Sequence, residues 1–147
     1  MSDAEQEVRV LVVDDSQDAA DSLTGVLSAA HYAARAAYGG QSALVLAANF
    51  RPHIVLLDLD MPRMNGFATA AGLRKLEFDV PLLLIAYTAH TDMHSVAATS
   101  TAGFDLHVDK PCEVQVLLQL LKQTLSARRQ SRKPLQIESV TMKPRLA

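Results

Sequence analysis

The chain has 147 residues, enough for one globular domain with its own core. Apolar residues make up 49% and charged residues 20%, which excludes a disordered polymer, and no apolar run is longer than a strand, which excludes a membrane-spanning chain. A formal net charge of −2 selects no partner class, and the lone Cys112 excludes a disulfide framework or a cysteine-rich metal site.

In chain order, residues 1–7 form an extension that is acidic where a signal peptide would be basic, so a reduced, cytoplasmic setting is expected. "VRVLVV" is a short apolar run, hence a buried strand, and it ends at Asp14-Asp15. Ser16 is placed to cap a helix in which Ala19, Ala20, Leu23, Val26, Leu27 and Ala30 recur at helical spacing. "YAARAA" is a weaker strand closed by Gly39-Gly40, and the short helix after it carries Ala43, Leu44, Leu46 and Ala47 before Pro52. "IVLL" is a third buried strand, running into Asp58 and Asp60. Gly66 opens a helix with Phe67, Ala70, Leu73 and Leu76, and Pro81 introduces the strand "LLLIAY", which leads to Thr88. A polar helix from about Thr91 to Thr101 ends at Gly103, "LHV" is a last short strand, Lys110-Pro111 breaks it, and "EVQVLLQLLKQTL" closes the set. Val114, Leu117, Leu118, Leu121 and Leu125 form one face of that helix, with Val116 and Leu120 on another; burial of most of this surface against the sheet is preferred to a partner contact. Residues 128–147 carry Arg128, Arg129, Arg132, Lys133, Lys143 and Arg145 against the single acid Glu138, and read as a flexible basic tail.

Five strand-helix units in strict alternation form an α/β fold with a parallel sheet covered on both faces. Ligands in such folds sit beyond the carboxyl ends of the strands. Asp14 and Asp15, Asp58 and Asp60, Thr88, and Lys110 all follow strands, so they fall on that one edge. Each alone is ordinary: an acidic pair starts a turn, a threonine ends a strand, a lysine is solvated. Together they are harder to dismiss, because gathered carboxylates repel unless a cation joins them. The donors are all oxygens, which favours a hard divalent ion, Mg²⁺ best, with Mn²⁺ as a substitute. A carboxylate-bound Mg²⁺ beside a lysine and a hydroxyl is equipment for phosphoryl transfer, with a carboxylate able to act as nucleophile.

The motifs "VLVVDDS", "GGQSALVLAANFRPHIVLLDLDMPRMNGF", "LLLIAYTA" and "GFDLHVDKP" closely resemble the receiver domains of two-component response regulators, over residues 8–127. The resemblance implies a flavodoxin-like (β/α)5 doubly wound sheet of strand order 2-1-3-4-5. It implies that Asp58 accepts a phosphoryl group from a histidine kinase or histidine phosphotransfer protein. Asp15 and Asp58 would bind Mg²⁺ directly, with the Asp60 carbonyl as a further ligand and Asp14 acting through a water. Thr88 and Lys110 would each meet a phosphoryl oxygen, and the Lys110-Pro111 peptide would be cis. The implied protein is a signalling phosphoacceptor and not an enzyme with turnover. Its downstream target is unnamed, and a homodimer through the helix 4–strand 5–helix 5 face is allowed.

Three departures stand out. His107 occupies a position where the family usually has Phe or Tyr; it either switches like that ring or is simply buried, and it resembles receivers linked to hybrid histidine kinases. Asp60, and His90 two residues past Thr88, border the path of water and are expected to tune phosphoryl lifetime. Beyond the receiver only the basic tail follows, too short for a DNA-binding domain, so a stand-alone receiver is expected. The nearest rival is a haloacid-dehalogenase-type phosphatase with Asp58 as nucleophile and Asp60 as acid/base. It fits "VLLDLD" but has Pro62 where Thr or Val belongs and lacks an acidic pair after the lysine. A non-phosphorylated binding module has no need of the cluster, and a flavin phosphate would be repelled by "DDSQD".

Overall fold

A computed structural model of the chain describes residues 7–78, 82–89 and 93–131. Strands β1 (Arg9–Val13), β2 (Ala33–Ala37), β3 (Ile54–Leu57), β4 (Leu83–Thr88) and β5 (Leu106–Asp109) alternate with helices α1 (Gln17–Ala29), α2 (Gly40–Phe50), α3 (Gly66–Lys75), α4 (Met93–Thr101) and α5 (Val114–Ser131). The strands form one sheet of order β2-β1-β3-β4-β5. Every pairing is parallel, so the carboxyl ends of all five strands point the same way.

Successive side chains of a strand point to opposite faces, and here both faces are covered, which is why the strands read as unbroken apolar runs. Leu11, Val13, Val55, Leu57, Leu84 and Ala86 face one layer, packed with Ala43 and Ala47 of α2 and Ala70 and Leu73 of α3. Val10, Val12, Ile54, Leu56, Leu83 and Ile85 face the other, packed with Ala20 and Leu27 of α1 and Leu117 and Leu121 of α5. Ser16 caps α1 by accepting the Ala19 N–H at 3.3 Å. Asn65 caps α3 in the same way, accepting from Ala68 at 2.9 Å.

The last helix differs from expectation in two respects. It continues through Ser131, so the start of the segment read as a tail is helical; Ala127, Arg128, Arg129 and Gln130 favour helix and no breaker intervenes. The rest of the basic segment lies outside the described residues, as do Pro81 and Thr91. Leu120, assigned to a separate face, is buried with Leu117 and Leu121, whereas Val114 is exposed. The sheet takes up most of the helix, and the exposed apolar surface is at its first turn.

One side chain ties the amino-terminal ends of β4 and β5 to the carboxyl-terminal ends of α3 and α4. Arg74, on α3, donates to the carbonyls of Leu82 and Gly103 and pairs with Asp105 at 3.1 Å. Asp105 in turn accepts the Leu84 N–H at 2.8 Å. Gly103, at φ +93°, sits in the left-handed region where a side chain would be strained, and it turns the chain from α4 toward β5.

Candidate functional site

Backbone hydrogen bonds just beyond the ladder join the end of β1 to those of β2 and β3, and the end of β5 to that of β4. Asp14 N–H donates to Ala37 O, Asp58 N–H to Val13 O, and Lys110 N–H to Thr88 O. These bonds bring residues distant in sequence to one edge. Asp14 and Thr88 are buried there, Asp58 is half-buried, and Asp15 and Asp60 are exposed.

Carboxylate oxygens of Asp14, Asp15 and Asp58 lie within 4.8 Å of one another. Such a set, with hard oxygen donors alone, suits Mg²⁺ and would otherwise carry strong mutual repulsion. Lys110 relieves part of that repulsion: its Nζ is 2.6 Å from Asp14 Oδ2 and 3.8 Å from Asp58 Oδ2. The other Asp14 oxygen accepts the Ser16 N–H, fixing the carboxylate from behind. The Lys110-Pro111 peptide is cis.

Asp58 accepts hydrogen bonds from the Asp60 N–H, at 3.3 Å, and from the Thr88 hydroxyl. Burial nevertheless pushes its carboxyl above the ordinary carboxylate value, outweighing the pull of Lys110 and these donors, with Asp14 adding to the rise. A half-buried acid of raised basicity beside a cation is a plausible nucleophile once ionised. Gly66 makes room for it. A Cβ at that position would lie 2.5 Å from the Asp58 carbonyl oxygen, so only glycine lets α3 begin directly beneath the loop that carries Asp58.

His107 is buried between β5 and α4, its Nδ1 3.2 Å from Thr99 Oγ1 and its Nε2 3.7 Å from Asp109 Oδ1. The ring is buried, and whether it switches stays a proposal. Asp109 is also buried, and its carboxylate oxygens have no hydrogen-bond partner among the described residues. It was overlooked because "LHV" appeared to end the strand at Val108, although its register opposite Thr88 places it at the site edge. Tyr87 was overlooked as a strand residue; strict alternation against Thr88 turns it to the α1–α5 face, where its ring meets Lys110. His90 lies outside the described residues.

Comparison with known proteins decides the family. The response regulator receiver domain profile matches residues 10–122. The chain belongs to the response regulator receiver family. Response regulator MprA of Mycobacterium sp. (strain KMS) is 37% identical over 118 residues, covering 80% of this chain and 50% of its own. MprA of Mycobacterium tuberculosis (strain ATCC 25177 / H37Ra) is 35% identical over the same length. The receiver thus spans about half the length of these curated relatives. Among solved structures, chemotaxis protein CheY4 of Vibrio cholerae aligns with a TM-score of 0.74 at 26% identity, covering 80% of this chain and 98% of that one. A CheY-like receiver domain protein of Methanospirillum hungatei JF-1 aligns at 0.77 and 25%, covering 85% and 98%. The flavodoxin-like order expected from sequence is the order found. The comparisons give the haloacid-dehalogenase alternative no support. Among the described residues, no helix is long and apolar enough to cross a membrane.

Proposed function

We propose that this receiver stores a phosphoryl group on Asp58, taken from the phosphohistidine of a kinase or phosphotransfer protein, and relays the change to a partner protein. The observation that carries this is the meeting of Asp14, Asp15 and Asp58 within 4.8 Å, with Lys110 poised between two of them. Asp15 and Asp58 would hold Mg²⁺, with the Asp60 carbonyl and, through a water, Asp14. The ion supplies neutralisation of the phosphoryl oxygens when bound.

In the reaction an Asp58 carboxylate oxygen attacks phosphorus and the phosphorus–nitrogen bond to the donor imidazole breaks. The bonding pair leaves with the imidazole nitrogen. Lys110, released from Asp14, pairs with a phosphoryl oxygen, and the Thr88 hydroxyl donates to another. The product carries about −1.5 to −2 charge at pH 7 where the carboxylate carried one, on an edge that already repels anions. The pull on Thr88 and Lys110 then shifts the face of α4, β5 and α5, where His107 is packed, toward a second population. That face is the proposed contact for a partner or a second copy, and the receiver is proposed to work through such contacts without turnover of small substrates. Asp60 and His90 are proposed to set the lifetime of the acyl phosphate, read as its decay rate in Asp60→Asn and His90→Ala.

Intact-mass analysis after incubation with acetyl phosphate and Mg²⁺ tests the proposal, with Asp58→Asn as control. One added phosphoryl in the wild type and none in the variant is expected. No gain in the wild type, or an equal gain in both, overturns it; repeated turnover of a phosphomonoester would restore the phosphatase.

A further inference from the structure

Lys110 must reach a phosphoryl group on Asp58, yet its closest partner is Asp14, at 2.6 Å. A lysine held only by that carboxylate would lose its anchor once Asp14 is engaged elsewhere. Among the described residues its further neighbour, beyond Asp58 itself at 3.8 Å, is uncharged. The Tyr87 ring centroid lies 5.2 Å from Lys110 Nζ, within the range at which an aromatic face attracts an ammonium. The backbone of Cys112 hydrogen-bonds the Tyr87 hydroxyl, so this one side chain touches the loop on both sides of Pro111. The Cys112 N–H donates to the phenol oxygen, and half-burial pushes the phenol above its ordinary value.

Packing alone would not demand a tyrosine. Tyr87 lines a cavity of about 330 Å³ between α1 and α5, together with Leu23, Val26, Leu56, Pro111 and Val114, and an aliphatic side chain would suit such walls. Asp14, Asp58 and Lys110 line the same cavity, so the ring belongs at once to the apolar wall and to the charged site.

We infer that Tyr87 is a positioning residue for phosphoryl transfer: its ring holds the Lys110 ammonium toward Asp58 while its hydroxyl fixes the Lys110–Cys112 loop. The inference deepens the proposed function and rests on it. Unlike a carboxylate, the ring face attracts the ammonium without competing for the metal or repelling the incoming phosphoryl group, so Lys110 can leave Asp14 and remain oriented.

The test is a double-mutant cycle on the rate of phosphorylation by acetyl phosphate at saturating Mg²⁺, followed by intact mass. Tyr87→Leu is expected to lower the maximal rate roughly fivefold to tenfold. Tyr87→Phe, which keeps the ring, should stay within about twofold to threefold of the wild type. On a Lys110→Met background, Tyr87→Leu should change the residual rate by less than about twofold, because the lysine through which it acts is gone. Tyr87→Met, flexible enough to fill the same wall, replaces Tyr87→Leu should that variant fail to show a cooperative melt. A wild-type rate in Tyr87→Leu, an equal loss in Tyr87→Phe, or an equal fold-loss on the Lys110→Met background overturns the inference alone. A wild type that gains no phosphoryl group overturns the proposed function and this inference with it.

Discussion

Replacing Asp58, the proposed phosphoacceptor, by its neutral isostere Asn should stabilise the metal-free protein. At 4.8 Å, the outer limit of the spacing in the acid cluster, two carboxylates repel by about 1 kcal/mol in a water-like medium and about 3 kcal/mol at an effective dielectric of 20. Lys110 and Asp14 form a close pair whose opposite charges largely cancel at Asp58, so the repulsion from exposed Asp15 and the cost of burial remain. Asn keeps an oxygen that can accept from the Asp60 N–H and from Thr88, so Asp58→Asn removes the charge without orphaning a donor. A gain of about 1–2 kcal/mol follows, or roughly 3–6 °C in melting temperature for a domain of this size. The sign with pH is fixed by the raised folded pKa. Between the ordinary carboxylate value and that raised value, the folded state keeps a proton the unfolded chain has lost. The penalty on the wild type is therefore absent below this window, grows as pH rises through it, and is complete above it. Saturating Mg²⁺ should reverse the order, since a ligand at a hundred times its dissociation constant stabilises the wild type by about 2.7 kcal/mol and the variant has one carboxylate fewer to offer. Thermal melts in EDTA at pH 8 and pH 4, then with Mg²⁺, measure all three effects. A variant that melts below the wild type in EDTA at pH 8, or a gap that ignores pH, refutes the electrostatic account.

Gly66→Ala should cost about 1–3 kcal/mol in urea unfolding, because the new methyl meets the Asp58 carbonyl oxygen and the Leu59 Cα; an unchanged midpoint would mean the loop gives way freely. Arg74→Ala should destabilise by about 2 kcal/mol and speed hydrogen exchange at the Leu84 amide, whose acceptor Asp105 loses its partner; protected exchange in the variant would contradict this. Asp109→Leu should be neutral or stabilise by about 1 kcal/mol, since the carboxylate is buried with both oxygens unbonded among the described residues; a clear loss would show that its proximity to His107 matters more than its burial.

Much of this was legible before any coordinates. Apolar runs of strand length, each followed by an amphipathic stretch, can satisfy two covered faces only as a parallel sheet, and every polar residue at a strand end then shares one edge. What escaped notice depends on distance across the fold. Asp14 and Lys110 are far apart in the chain yet form the tightest pair at the site, and no local pattern announces that this lysine rests on an acid. The cap of α3 is Asn65, and Asn ahead of a glycine-led helix is an ordinary starting signal that the sequence reading, which opens the helix at Gly66, leaves unused. Tyr87 looked like any β-forming aromatic residue. The reach of α5 was underestimated because charge was read as disorder, whereas arginine and glutamine are good helix formers and Pro134 is the first residue able to stop them.

The Arg74 clamp carries a mechanical consequence. It ties α3 to the carbonyl just before β4 and to the turn after α4. The opposite end of α4 follows the segment that leaves Thr88. A rod of nine residues fastened at its carboxyl end is a lever about 13 Å long, with the guanidinium as fulcrum. A tug at the Thr88 end cannot translate such a rod; it turns it, and the displacement grows with distance from the pin. If the proposed pull on Thr88 reaches α4, its direction of travel would be set by an arginine that touches none of the reacting atoms.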